Sequence, residues 1–135
     1  MVQLPTAGLL VIQNRKLLLA FSSNKQCFYL PGGKIDDGET PQEALSREIA
    51  EELNTNIETG QFIFYTHITA PAFGEINGTV MEQDCFFPVI DIRPQASGEI
   101  DQLKFFSVSE YLQEENKAPG AIMILEQLKK EGYID

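Results

Sequence analysis

Glu48, Glu51 and Glu52 stand at spacings of i, i+3 and i+4, and Arg47 directly precedes them. Carboxylates this close either lie on a solvated acidic face or share a divalent cation. On a helix turning about 100° per residue they fall within a sector of roughly 100°, so their side chains are neighbours. Ala44 and Leu45 lie in or beside that sector, and Ile49 and Leu53 lie next to it. The acidic stripe therefore overlaps the edge of the face that packs. Like charges at i, i+4 destabilise an exposed helix by roughly 0.2–0.5 kcal/mol. Drawn partly out of water, they must protonate or find a counter-charge. Arg47 can pair with Glu43 or Glu51, but one guanidinium cannot neutralise all three carboxylates. Mg2+ or Mn2+ could do so. These hard cations take oxygen ligands, one or two carboxylates together with water and substrate phosphate. The helix alone leaves both readings open.

The neighbouring elements must hold this stripe in place. Thr40 is a good N-cap, Pro41 suits the first helical position, and Glu43 completes a capping box with Thr40. The helix is predicted over about 40–53, closed by Asn54, which tolerates the left-handed conformation. Ahead of it, Pro31-Gly32-Gly33 lets the backbone turn sharply and approach a ligand or metal, and Gly38 is a second permissive point. A Gly-rich loop feeding a helix is weak evidence for phosphate binding by itself.

Taken together, residues 33–55, GKIDDGETPQEALSREIAEELNT, resemble the Nudix box. That pattern is Gly, five residues, Glu, seven residues, Arg-Glu, an apolar residue, any residue, Glu-Glu, any residue, Gly and a final apolar residue. Gly33, Glu39, Arg47, Glu48, Ile49, Glu51 and Glu52 match at the right spacing. Asn54 replaces the usual Gly and Thr55 the usual apolar residue. Asn can also close a helix through the left-handed region, and neither change removes a proposed ligand. The flanks, with Pro31-Gly32 before the box, look like the small MutT-like branch. The resemblance implies a Nudix-like α/β/α sandwich. It implies divalent metal, Mg2+ with Mn2+ as a possible substitute, on Glu48, Glu51 and Glu52, with the Gly32 carbonyl as a further ligand. Arg47 would orient a glutamate, Glu39 would pin the loop to the helix, and Gly33 and Gly38 would give the loop its shape. A carboxylate would accept a proton from the attacking water. Glu99 is the candidate, with Asp101 nearby, since such enzymes often carry an acid before the last strand; the alternative is a surface charge.

The rest of the chain reads as a mixed α/β (α+β) pattern. Strands are expected over 6–12 and 16–20 around a Gln13-Asn14-Arg15 turn, then over 27–30, 57–69, 79–90 and 103–107. The segment 34–39 reads as a loop and 73–78 as a turn. A short helix is expected over 108–112 and a terminal helix over about 120–131, with Ile122, Leu125 and Leu128 on one side. Helices should pack on the faces of one curved mixed sheet. The 135 residues, 43% hydrophobic and 22% charged, fit one ordinary globular domain. No apolar run approaches the roughly 20 residues needed to span a bilayer. The first residues do not read as a signal peptide, so a cytoplasmic protein without membrane contact is expected. Cys27 and Cys85 follow no ligand spacing, and His67 is the single histidine, which argues against a zinc site. A net charge of −10 disfavours long nucleic acid and RNA cap removal.

The implied reaction is hydrolysis of a nucleoside diphosphate linked to another group. A (deoxy)nucleoside triphosphate, damaged or non-standard forms included, is the favoured small-molecule partner. ADP-ribose or a nucleotide sugar is the alternative, since Pro71 stands near a proline that resembles a mark of that branch. A rival of another class is a catalytically silent, nucleotide-sensing module, although such modules usually lose box carboxylates. Lys25 is the one charge in residues 20–25, where similar chains carry arginines, and Lys34 is a second candidate for phosphate. Phe28, Tyr65 and Phe73 offer flat faces for a base, and Asn116 with Lys117 precede the terminal helix where related enzymes touch it. Each of the aromatics is more readily core, and Lys34, Asn116 and Lys117 are as readily polar loop residues. A monomer or homodimer is expected.

Overall fold

The computed structural model describes residues 2–135. In chain order the elements are β1 (Val2–Leu9), β2 (Ile12–Gln13), β3 (Lys16–Ser22), β4 (Cys27–Tyr29), β5 (Gly32–Lys34), α1 (Pro41–Leu53), β6 (Phe62–Pro71), β7 (Thr79–Pro88), β8 (Ile100–Phe106), α2 (Val108–Tyr111) and α3 (Pro119–Lys130). The strands form two sheets. One is mixed, in the order β5-β1-β7-β6, with β1 parallel to β7 and the other pairs antiparallel. The second is antiparallel, with β2 and β8 both on β3 and β4 beside it. The expected mixed α/β architecture is present, but its strands are divided between two sheets.

Helix α1 forms where its caps place it. The Thr40 hydroxyl accepts from Glu43 N (3.1 Å), the Glu43 carboxylate accepts from Thr40 N (2.8 Å), and Asn54 closes the helix at φ 51°, ψ 42°. Ala44, Leu45, Ile49 and Leu53 are buried. Leu45, Ile49 and Leu53 pack with Ala7, Leu9 and Phe86 of the mixed sheet. The opposite face of that sheet, through Ile68, Ala70 and Cys85, joins a second core with β3, β4 and the α3 residues Ala121, Ile124, Leu125 and Leu128. Tyr111 locks α3 to β4: its buried hydroxyl donates to the Phe28 carbonyl (2.6 Å) and accepts from Ala118 N (2.9 Å).

Three strand expectations need correction. Residues 6–12 are not one strand, because β1 stays with the mixed sheet to Leu9 and only Ile12–Gln13 pairs with β3. Residues 6–11 are buried on both sides, so their apolar run carries no alternation to mark the break. Asn14 and Arg15, both left-handed at φ 50° and 60°, close the hairpin in the manner of a type I′ turn. Residues 57–61 are not strand either: Ile57 is buried, Thr59–Gln61 form a 3-10 turn, and β6 starts at Phe62. Gly32–Lys34, expected as a strand stop and loop, is β5. It pairs Gly32 with Gly8 and Gly33 with Ala7, and its two glycines conceal any strand propensity. Among the described residues no helix is long and apolar enough to cross a membrane.

On the β6–β7 ribbon, His67 sits between two acids, with Nδ1 2.7 Å from Asp84 and Nε2 2.7 Å from Glu82. Glu82 and Asp84 raise its pKa above the ordinary histidine value. A raised folded pKa adds stability that is present below the unfolded value of about 6.5 and lost as pH rises through the folded value. His67→Gln should therefore lower Tm relative to wild type at about pH 5.5 and match it at about pH 10. Thermal melts of both proteins check this, and an equal deficit at both pH values would sink it.

Candidate active site

The acidic helix and the glycine strand meet at the edge of the mixed sheet. Gly32 N donates to Glu52 Oε1 at 2.8 Å. A Cβ on Gly33 would lie 2.6 Å from the Glu48 Cδ, so the missing side chain is what lets that carboxylate rest on β5. Gly32 faces the opposite constraint. Its φ is +138°, and a Cβ there would lie 2.0 Å from the Ala7 carbonyl oxygen. One glycine thus lets the sheet close, and the next makes room for a carboxylate.

Arg47 ties the preceding loop to the helix. Its Nε and Nη2 each lie 2.9 Å from the Glu39 carboxylate, a bidentate pair. Nη1 donates to Glu48 at 2.8 Å, and Nη2 also reaches the Lys34 carbonyl (3.1 Å). Asp36 N in turn donates to Glu39 at 2.9 Å. Hydrogen bonds from Arg47 and Asp36 N hold the Glu39 pKa down at about 2. The other end of α1 is capped from a distance. Gln95 N donates to the Leu53 carbonyl (3.0 Å), Ser97 N to the Glu52 carbonyl (2.9 Å), and the Ser97 hydroxyl to the Glu51 carbonyl. This clamp brings Glu99 to the same opening as Glu48 and Glu52.

The electrostatics follow from crowding. Burial pushes the Glu52 pKa up to about 8; the Gly32 N–H opposes this, and the charges of Glu48, Glu51 and Glu99 reinforce it. Burial also raises Glu48, outweighing its bond to Arg47. These carboxylates lack enough positive charge, and a hard divalent cation fits the oxygen donor set. Among the described residues no three acidic, histidine or cysteine side chains already converge on one point. A cation held here would draw part of its shell from water or phosphate, as Mg2+ commonly does. Glu51 is exposed on the outer side of the stripe and reaches Glu48 and Glu52 through its charge. Gly32 meets the acidic stripe through its N–H on Glu52.

Glu48 and Glu52 border a cavity of about 390 Å3. Lys25, Lys34 and Phe73, together with Glu99, line it. Lys25 and Lys34 both pair with Glu75, at 3.4 and 3.5 Å, so an anionic group already sits between them. Other sequence candidates stand elsewhere. Phe28 is buried in the core, edge-on to Phe21 and Phe106, and offers no free face. Tyr65 packs on Phe87 and Tyr133 and donates to Glu131. Asn116 lies outside the cavity and anchors the Gln26 carbonyl at 2.8 Å. Lys117 donates to the Glu114 carbonyl, and Asp101 is exposed away from the cavity. Residues 95–97, Glu75, Thr6 and Gln83 were not evident from sequence. Their roles depend on long-range contacts, and no local motif announces them.

The fold is shared with known structures. A MutT NUDIX hydrolase from Burkholderia pseudomallei superposes with a TM-score of 0.74 at 20% identity, covering 95% of this chain and 99% of that one. The NUDIX domain model matches residues 2–128, and the chain belongs to that family. An 8-oxo-dGTP diphosphatase of Haemophilus influenzae is 41% identical over 63 residues, 42% of this chain and 46% of the relative. An ADP-ribose pyrophosphatase of Methanocaldococcus jannaschii is 47% identical over 47 residues, 33% of this chain and 28% of the relative. The chain thus matches less than half the length of these curated relatives.

The two glycines separate folding from site geometry. Gly33→Ala has no left-handed backbone to strain, so it should melt near wild type while displacing Glu48, and any metal-dependent turnover should fall about tenfold or more. Gly32→Ala should instead cost about 2–4 kcal/mol of stability. Paired melts and rate assays check this; full activity in Gly33→Ala would refute the contact with Glu48 as functional.

Proposed function

We propose that this chain is a divalent-metal-dependent pyrophosphohydrolase that cleaves a nucleoside diphosphate linked to another moiety. The favoured substrate is a (deoxy)nucleoside triphosphate, giving the monophosphate and pyrophosphate. The observation that carries this is the placement of Glu48 and Glu52, half-buried at the mouth of the cavity and short of counter-charge. Mg2+, or Mn2+ in its place, would be held by Glu48, Glu51 and Glu52, with the Gly32 carbonyl as a further ligand. Bound there, it would screen the charge of the phosphates and acidify water.

The chain's own residues supply positioning. Arg47 keeps Glu48 against β5, and the Gly32 N–H fixes the Glu52 carboxylate. Lys25 and Lys34 meet the phosphate chain at the mouth, displacing Glu75. Water attacks one phosphorus, the bridging P–O bond breaks, and the water proton passes to a carboxylate, for which Glu99 is our candidate. Fixed geometry and charge stabilisation carry most of such a reaction. A cavity of about 390 Å3 suits one nucleoside unit, with the phosphates at the opening. All the box carboxylates are in place, which supports an enzyme over a silent binding module. The second reading, ADP-ribose or a nucleotide sugar, is favoured by the Methanocaldococcus relative and by Pro71 in the cavity wall.

Glu52→Gln keeps an acceptor for the Gly32 N–H and removes one crowded charge. It should lose Mg2+-dependent turnover by about a hundredfold or more. Its Tm in chelator should equal or exceed that of wild type, because a like-charged buried group is gone. A panel of nucleotides with Mg2+ and with Mn2+, with products identified, names the substrate. Wild-type rates in Glu52→Gln would remove Glu52 from the site.

A further inference from the structure

The floor of the cavity carries a polar pair that the hydrolytic site does not use. Thr6 on β1 and Gln83 on β7 are register partners in the mixed sheet, 6% and 7% exposed, and both line the cavity. The Thr6 hydroxyl is buried with no hydrogen-bond partner. The Gln83 amide oxygen has one weak contact, the Cys85 thiol at 3.8 Å. Gly8 makes room for this amide: a Cβ there would lie 3.0 Å from Gln83 Nε2 and 2.9 Å from Leu30 Cδ1. A buried hydroxyl without a partner is costly, and an isosteric methyl would remove that cost. A sheet that keeps Thr6 and Gln83 side by side in this state has a vacant donor and acceptor set.

We propose that Thr6 and Gln83 read the hydrogen-bonding edge of a nucleobase, which rests on the floor while its phosphates stay at the mouth. This rests on the nucleotide reading above and adds which residues choose the base. Charge separates the two ends. Lys25, Lys34, Glu48, Glu52 and Glu99 stand at the opening, whereas Thr6 and Gln83 are neutral. A primary amide offers a donor and an acceptor side by side, the pattern that a base edge complements, and the hydroxyl adds a group able to do either. The apolar side chains of Leu30, Phe73 and Met81 line the same cavity and suit the faces of a flat ring. Thr6 and Gln83 are specificity residues here and take no part in bond cleavage.

The test compares binding of the common nucleoside 5′-monophosphates with ribose 5-phosphate, by calorimetry, on wild type, Thr6→Val and Gln83→Met. The difference between the two ligand types isolates the base. Wild type should bind at least one monophosphate more tightly than ribose 5-phosphate by about tenfold or more. Each variant should erase most of that gap and leave the ribose 5-phosphate affinity unchanged. Thr6→Val should also melt at or above the wild-type temperature, which separates lost recognition from lost folding. A gap unmoved in both variants, or a wild type that binds the two ligand types equally or binds neither, overturns the proposal. Turnover of the nucleotide panel by the same proteins is read separately. Hydrolysis with an unmoved gap fails this proposal alone, and a base-dependent gap without hydrolysis fails the enzyme reading alone.

Discussion

The site is built around Arg47. Its guanidinium joins the loop, through Glu39 and the Lys34 carbonyl, to the helix, through Glu48. Without that knot the loop before α1 has little to fix it to the helix, since beyond the Ile35 N–H on the Pro5 carbonyl of β1, residues 36–40 make no backbone hydrogen bond to a strand among the described residues. A rigid, forked cation suits this task, because it meets one carboxylate with two bonds and still reaches other acceptors. The same pairing sets the division of labour among the acids. Glu39 takes the bidentate contact and has a pKa near 2, a fully committed structural anion. Glu48 receives one bond, and Glu52 receives only a backbone N–H, so both keep capacity for a ligand.

That incomplete satisfaction is the physical content of the site. A protein optimised only for stability would not place Glu48, Glu51 and Glu52 on one stripe beside a buried apolar face. Crowding and burial raise Glu52 to about 8, which means that the folded chain disfavours the charged form of a group it nevertheless holds in place. Groups held against their preference in a cleft are where function is sought first. The clamp from Gln95 and Ser97 onto the last carbonyls of α1 deepens the effect, because it fixes a further acid, Glu99, at the same opening.

Helix α1 was legible in the sequence because every signal for it is local. The Thr40–Glu43 box, Pro41 and Asn54 all act within a few residues of the ends they set, and all are seen at those ends. The spacing of the carboxylates was equally readable, since helical geometry alone makes them neighbours. Strand β5 was not readable, because its glycines serve contacts with Ala7 and Glu48 that are distant in sequence. The split of residues 6–12 between two sheets was hidden by a run apolar on both faces. Phe28 shows the limit for single aromatic residues. The same ring is compatible with a ligand platform or a core edge, and only its neighbours Phe21 and Phe106 decide for the core.

The cavity joins two kinds of unmet demand. At its mouth the demand is for positive charge beside Glu48 and Glu52, and the lysines there are already engaged by Glu75. At its floor the demand is for neutral hydrogen-bond partners, at Thr6 and Gln83. A phosphate on the floor would meet no cation, whereas Lys25 and Lys34 stand at the mouth. A ligand whose anionic end carries a divalent cation, and whose other end is flat with a polar edge, would meet both demands in a single orientation. That orientation would put the phosphates and their cation beside Glu48, Glu52 and Glu99, as the proposed reaction requires. The distribution of charge would therefore orient such a ligand before any side chain moves, and the separation of the two ends follows from the register of β1 with β5 on one side and β7 on the other.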